Sequence, residues 1–232
     1  MNEHPLITYV HYHPSLMTTW SVQQIRANRK TMTRRVIKKA RNEVGEWAGA
    51  VLPAREDGWI AWWPGTGPGL AEFTKKAYSH GFPCPYGVPG DVLWVKETFG
   101  YVWPELCDNG MVYGESGPTF DCGRPIRRDE CKVIYRADEP DFAWADEGGD
   151  PRTMWKASLF MPWRLARVFL RVLEVRPERV QEINDADVFA EGCESRAEFI
   201  EVWDGLYRAK EPWKRWAANP WVWAIRFERK EQ

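Results

Sequence analysis

The chain has 232 residues, a formal net charge of −1 and 44% hydrophobic residues. The length suits one large domain, and the apolar fraction excludes disorder as the general state of the chain. The near-zero charge excludes a global field that draws the chain onto nucleic acid, so any such contact must come from a local basic patch.

Cysteine and histidine usage argues against disulfides and metals. The five cysteines contain no C-x-x-C pair, and an odd count does not suit a disulfide framework. His11 and His13 have a spacing that a metal could use, but a solvated or packed pair accounts for them more simply. With no signal peptide and no apolar run near the ~20 residues of a membrane span, we expect a cytoplasmic protein without metal, cofactor or membrane partner.

The first quarter of the chain predicts a strand, a helix and a second strand. A short strand is expected at about residues 15–18, followed by a helix that Thr19 or Ser21 can cap. Asn28 stands where a left-handed residue would end that helix. The basic segment "RKTMTRR" follows at residues 29–35, and "TRRVI" has the character of a strand.

Two long excursions interrupt the middle of the chain, at residues 38–82 and 100–150. In the first, the segment "GWIAWWPGTGPG" contains residues typical of turns together with several aromatic residues, and it predicts turns. Between the excursions, Pro89-Gly90-Asp91 predicts a turn and residues 92–97 predict a strand. The second excursion contains one strand candidate, "KVIYRA".

The last third predicts a long strand, two helices and a closing strand. "ARVFLRVLEVRPERV" is rich in strand-forming residues, and "WVWAIRFER" alternates clearly. Asn184 and Gly192 bound the first helix, and Ser195 with Glu198 forms a capping box for the second. This order of elements does not suit repeated βαβ units. It predicts a single α+β domain over residues 1–232, a mixed β-barrel with short helices and two long insertions.

Four segments carry a family resemblance: "RKTMTRR", "GVPGDVLWVKETF", "INDADVFAEG" and "NPWVWAIRFE". In this order, over about residues 15–228, they resemble the ASCH domain of the PUA-like superfamily, closest to the Trp-rich ASCH proteins of bacteriophages and prophages. The resemblance implies a PUA-like β-barrel whose cleft receives RNA, a nucleotide or a modified nucleobase. For a phage-encoded protein, the compartment would be the host cytoplasm.

One bacterial branch of that family hydrolyses the acetyl amide of N(4)-acetylcytidine, and the resemblance carries its catalytic residues onto Lys30, Thr33 and Glu191. A threonine hydroxyl is a poor nucleophile unless a neighbour takes its proton. Lys30 would take that proton, and Glu191 would orient Lys30 or relay a proton to the leaving amine. This gives the hypothesis of an amidohydrolase that acts on acylated cytidine.

The same segment supports binding without chemistry, which we favour because binding requires no neutral lysine. Lys30 and Arg35 would hold a phosphate or a ring carbonyl, and Glu191 would accept from an exocyclic amine. The further ligand-binding candidates are Arg29, Thr31, Arg34, Arg35, Lys96, Glu97, Trp163 and Arg164.

Two other interpretations stay open. A basic cluster such as "RKTMTRR" is, taken alone, more often a solvated face than a site. The fifteen tryptophans also suit a phage accessory factor that binds a host protein through Trp-rich loops, with Trp62 and Trp63 as contact candidates. Loss of residues 55–70 would abolish binding of this kind.

Overall fold

The computed structural model describes residues 10–41, 48, 50–53, 59–62, 82–102, 111–114, 117–120, 132–141, 144–145, 151–152, 155–207 and 210–230. The chain divides into two compact units. The first comprises residues 1–15, 24–94 and 167–232, and the second comprises residues 16–23 and 95–166. A single domain over residues 1–232 stays a prediction.

The described elements mix strands with short helices, which confirms the predicted α+β class. The strands are β1 (Tyr12–Leu16), β2 (Met32–Val36), β3 (Ala50–Pro53), β4 (Trp59–Trp62), β5 (Val92–Lys96), β6 (Phe99–Val102), β7 (Met111–Gly114), β8 (Gly117–Phe120), β9 (Lys132–Tyr135), β10 (Trp144–Ala145), β11 (Pro151–Arg152), β12 (Phe169–Arg179) and β13 (Trp221–Arg229). The helices are α1 (Thr19–Arg26), α2 (Asp185–Ala190) and α3 (Arg196–Gly205). Single 3₁₀ turns lie at Lys38–Ala40, Ser158–Phe160, Trp163–Leu165, Val180–Glu182, Pro212–Lys214 and Trp216–Ala218.

A five-stranded sheet with the order β1-β5-β12-β13-β2 forms the centre of the fold. Strand β12 runs antiparallel to β13 and β5, and β13 runs antiparallel to β2. Strands β1 and β2 lie at the two edges, so the described strands form an open sheet and no closed barrel.

The two faces of this sheet differ in character where β2, β13 and β12 lie side by side. Thr33, Ile225 and Val175 stand in register on one face. Arg34, Ala224 and Arg176 stand in register on the other. Further residues on the face of Thr33 are large, apolar and buried: Leu170, Trp223 and Phe227. The apolar face therefore packs against the core, and the opposite face carries the charges.

Local chemistry sets the ends of α1. The hydroxyl of Thr18 accepts a hydrogen bond from the backbone N–H of Ser21 at 3.1 Å, so the capping residue is Thr18 rather than Thr19 or Ser21. Asn28 has φ 56°, which confirms the predicted left-handed residue after the helix. The first strand lies at Tyr12–Leu16, earlier than the predicted residues 15–18, because Thr18 already serves as the cap of the helix.

The later helices follow their predicted caps. The side chain of Asn184 accepts from the N–H of Asp187 at 2.8 Å, and Gly192 with φ 89° follows the end of α2. The hydroxyl of Ser195 accepts from the N–H of Glu198 at 3.2 Å. The capping box is incomplete, however, because the Glu198 carboxylate accepts from the N–H of Glu194 instead.

Parts of the two excursions are paired strands. Residues 59–62, predicted as turn chemistry, form β4 and pair antiparallel with β3. Aromatic residues favour strands, and here that preference outweighs the neighbouring turn residues. Strands β7 and β8 pair with each other, as do β10 and β11. Trp63 lies outside the described residues.

The second unit has a small core of its own. Strand β6 pairs antiparallel with β9, which includes most of the predicted strand "KVIYRA". Phe99, Tyr101 and Met161 are buried together, with Leu165 among the side chains packed against them. Among the described residues, no helix has the length and apolar character to cross a membrane, and no three His, Cys, Asp or Glu side chains cluster as metal ligands would.

Candidate functional site: a buried charge network

Lys30 and Glu191, which are 161 positions apart in sequence, meet in the first unit. The Lys30 ammonium donates to the backbone carbonyl of Glu191 at 2.8 Å and forms an ion pair with its Oε2. Each residue is 5% exposed. Buried lysine and glutamate side chains are rare unless they are paired, so this contact is a specific feature of the fold.

Backbone contacts between the basic segment and the end of α2 fix this meeting. The N–H of Thr31 donates to the carbonyl of Ala190 at 2.8 Å, and the N–H of Lys30 donates to the carbonyl of Gln24 at 3.2 Å. Gly192 makes the close approach possible, because a Cβ there would lie 3.3 Å from the Cβ of Lys30. Its φ of 89° also disfavours any other residue.

Arg34 joins three carboxylates of the site and is 2% exposed. Its Nε donates to Oε1 of Glu178 at 2.7 Å, and a terminal nitrogen donates to Oδ2 of Asp187 at 2.8 Å. The other terminal nitrogen donates to Oε1 of Glu191 at 3.1 Å. The planar guanidinium suits this role, since it presents donors in several fixed directions.

The network continues to Arg176 and Arg226, which are partly exposed. Arg176 donates to Glu174 and Glu178 and pairs with Asp187. Burial alone would lower the pKa of Arg176, but these carboxylates raise it above its ordinary value. Arg226 lies 3.5 Å from Asp187. Among the described residues, the network then holds as many cations as carboxylates: Lys30, Arg34, Arg176 and Arg226 against Glu174, Glu178, Asp187 and Glu191.

Thr33 is buried but is not part of this network. Strand alternation places its side chain on the sheet face opposite Arg34, in register with Ile225. Within the described part of the chain, no hydrogen bond joins its hydroxyl to Lys30 or Glu191. The structure thus brings together the predicted lysine and glutamate and leaves the predicted nucleophile outside their contact.

The other candidates from the basic segment have different surroundings. Arg29 is exposed and donates to the side chain of Gln24 at 2.6 Å, and the exposed Thr31 contributes backbone hydrogen bonds. Arg35 shares the face of Thr33, where its charge acts on Tyr207. Burial raises the pKa of Tyr207 to about 12, and the positive charge of Arg35 opposes that rise.

Four predicted ligand-binding residues belong to the second unit. The Lys96 ammonium donates to the carbonyl of Leu159 at 2.5 Å, and Glu97 is almost fully buried. Trp163 is 47% exposed, and Arg164 lines a cavity of that unit.

The sequence contained a signal for the charged residues that we did not predict. Glu174, Arg176 and Glu178 stand two positions apart in a strand, a spacing that places all three on one face. Asp187 lies in the first turn of α2, a favourable position for an anion. Only the fold, however, brings this turn against β2.

The arrangement offers a donor and an acceptor side by side in a water-poor environment. Lys30 supplies N–H donors, and Glu191 supplies a carboxylate whose second oxygen is held by Arg34. Such a pair matches a planar group that carries an acceptor next to an amine. No protein-family model, curated protein or solved structure matches the chain.

Proposed function

We propose that this chain is an ASCH-like protein of the PUA-like superfamily that binds RNA, a nucleotide or a modified nucleobase. The observation that supports this proposal is the contact between Lys30 and Glu191. The family resemblance singled out these two residues, and they form one buried pair although 161 positions separate them.

The recognition chemistry follows from the hydrogen-bonding capacity of that pair. A cytosine-type edge carries a ring acceptor beside an exocyclic amine. Lys30 would donate to the acceptor and Glu191 would accept from the amine, in place of their mutual hydrogen bond. A buried charge without a partner is costly, so only a ligand that supplies both groups offsets the free energy needed to open the Lys30–Glu191 pair.

Hydrolysis of an acylated nucleobase amine is the alternative for the same residues. It requires Thr33 to attack and Lys30 to accept the proton of the hydroxyl. The side chain of Thr33 lies on the sheet face opposite Arg34, and the Lys30 nitrogen serves as a donor to Glu191. Binding needs only the opening of the Lys30–Glu191 pair, with Thr33 left in place and the lysine still a donor, so it is the function that the geometry supports best.

The host-protein hypothesis concerns residues 55–70, of which the structure describes only 59–62. No described contact favours it, and it stays a prediction. A pull-down with and without this segment would test it separately from nucleobase binding.

A thermal-shift screen tests the proposed function with cytidine, N(4)-acetylcytidine, uridine and short RNAs. At a hundred times its Kd, a ligand stabilises the fold by about 2.7 kcal/mol. For a chain of this size, that raises the melting temperature by about 5–11 °C, at about 2–4 °C per kcal/mol.

The variants are chosen to preserve the fold. Lys30→Met combined with Glu191→Gln removes both charges while keeping similar volume, and Arg29→Ala is the matched control at an exposed cation of the same segment. We expect a nucleoside-induced shift in the wild type and the control, and none with the same nucleoside in the double variant. Equal nucleoside-induced shifts in all three proteins would refute the proposal, as would a wild type that responds to no nucleoside. Acetate release that Thr33→Ala abolishes would instead identify the hydrolase.

A further inference from the structure

The second unit contains a cavity of about 660 Å³. This volume lies within the range of small-molecule sites. The described residues of its lining include four aromatic rings and two cations: Phe99, Tyr101, Trp155, Phe160, Lys156 and Arg164. All of these residues belong to the second unit, so nothing in this inference depends on Lys30 or Glu191.

The inner wall of the cavity is closely packed. The rings of Phe99 and Tyr101 pack edge to face, with centroids 5.7 Å apart and planes at 79°. Both are buried with Met161 in the core of the unit. A ligand would therefore meet a preformed aromatic surface, which lowers the entropic cost of binding.

Hydrogen bonds hold the backbone at the rim of the cavity. Phe99 and Lys156 exchange two backbone hydrogen bonds, at 3.2 and 2.7 Å. The Tyr135 hydroxyl donates to the carbonyl of Leu165 at 2.8 Å, so the rim is held at both ends. Between these points the side chain of Phe160 is 71% exposed. The chain thus presents a large apolar ring to solvent from a fixed backbone, as a stacking surface requires.

The charges of the cavity select an anion. The described residues that line it include Lys156 and Arg164 and no carboxylate. The Lys156 ammonium lies 5.8 Å from the centroid of the Tyr101 ring. Within the described part of the chain, neither cation forms an ion pair with a carboxylate. An occupant with negative charge and a planar ring would satisfy both features of the lining.

We propose that this cavity binds a nucleotide, either free or as part of a single strand. The base stacks on Phe160, and the phosphate pairs with Lys156 and Arg164. Stacking tolerates any base, and lysine and arginine are ordinary phosphate partners. The site therefore differs from the Lys30–Glu191 pair, which would read the edge of a base.

Fluorescence anisotropy with a labelled single-stranded RNA hexamer tests this proposal, and calorimetry with AMP and CMP distinguishes a free nucleotide from a strand. Phe160→Ala should weaken binding by about fivefold to 150-fold, the range for loss of one base stack. Phe160→Trp should retain affinity. Leu159→Ala is the matched control, since Leu159 is 60% exposed in the same 3₁₀ turn and does not line the cavity.

Arg164→Ala tests the phosphate contact through salt. It should reduce the slope of log affinity against log salt by about 0.7, the value for one phosphate on a single strand. Arg136→Ala, an exposed arginine of the same unit outside the lining, should leave that slope unchanged. The proposal is overturned if the wild type binds neither the hexamer nor the mononucleotides, or if Phe160→Ala and Arg164→Ala behave like their controls. Failure here would leave the nucleoside response of Lys30 and Glu191 unaffected.

Discussion

Replacement of Arg34 by methionine tests whether the charge network is as closed as its geometry indicates. Arg34 donates to Glu178, Asp187 and Glu191, and its side chain is fully shielded from solvent. Methionine keeps much of the apolar length and removes every donor. Four carboxylates would then face three cations, with one negative charge uncompensated in a buried setting.

The expected loss of stability in Arg34→Met follows from that excess charge. Removing one partner of a buried ion pair costs about 3–5 kcal/mol, because the remaining charge is left without compensation. At about 2–4 °C per kcal/mol for a chain of this size, the melting temperature should fall by about 6–20 °C. The matched control is Arg171→Met, which breaks an exposed pair with Glu228 and should cost about 0–1 kcal/mol.

Urea denaturation and scanning calorimetry at pH 7 measure both variants. Adding Glu191→Gln to Arg34→Met should recover part of the loss, since it removes the excess negative charge. A loss below about 1 kcal/mol for Arg34→Met, equal to that of Arg171→Met, would show that water screens the network. The reasoning from buried charge would then be wrong.

Three further outcomes are expected. Gly87→Ala should destabilise the fold by about 1–3 kcal/mol in urea denaturation, because φ is 85° and a Cβ would lie 2.5 Å from an Asp91 oxygen. Gly205→Ala is the control and should not destabilise the fold, because a Cβ there would meet open space. Burial alone would raise the pKa of Asp91, but backbone N–H groups and a histidine lower it below its ordinary 3.8. The stability that ionised Asp91 gives the fold is therefore present above about pH 4 and is lost as the pH falls through the pKa of the folded state. Asp91→Asn should therefore make the urea midpoint depend less on pH between pH 2.5 and 6. An unchanged fall of the midpoint at the acid end of this range would contradict the prediction. Burial raises the pKa of the Cys84 and Cys193 thiols to about 11, so peptide mapping after iodoacetamide treatment at pH 8 should find both unlabelled in the native protein and labelled after unfolding.

Local chemistry made much of the fold predictable from sequence. Asn28, Asn184 and Gly192 each occupy a position that their backbone or side-chain properties favour, and the structure places them there. The closing strand was equally clear, because its alternation extends over nine residues. The β3–β4 pair was missed, since a Trp-rich strand beside glycines and prolines has no clean period.

The candidate site was only partly predictable. Lys30 and Glu191 were paired through resemblance, and no spacing in the sequence brings them together. Thr33 was expected beside them, but the alternation of β2 assigns its side chain to the apolar face. Asp187 was missed because its neighbours come from β2 and β12, and only tertiary packing defines them.

The irregularity in β12 between Val172 and Glu174 sets which residues enter the charged face. Leu173 is the additional residue, and it interrupts the alternation so that even-numbered positions change faces at this point. Deletion of Leu173 would remove this extra residue and leave Val172 and Glu174 in regular alternation, so Glu174, Arg176 and Glu178 would keep their places on the charged face. In homologous chains without this extra residue, the first acidic residue of the triplet must therefore directly follow the residue that corresponds to Val172, which gives a sequence criterion for recognising relatives that retain the network.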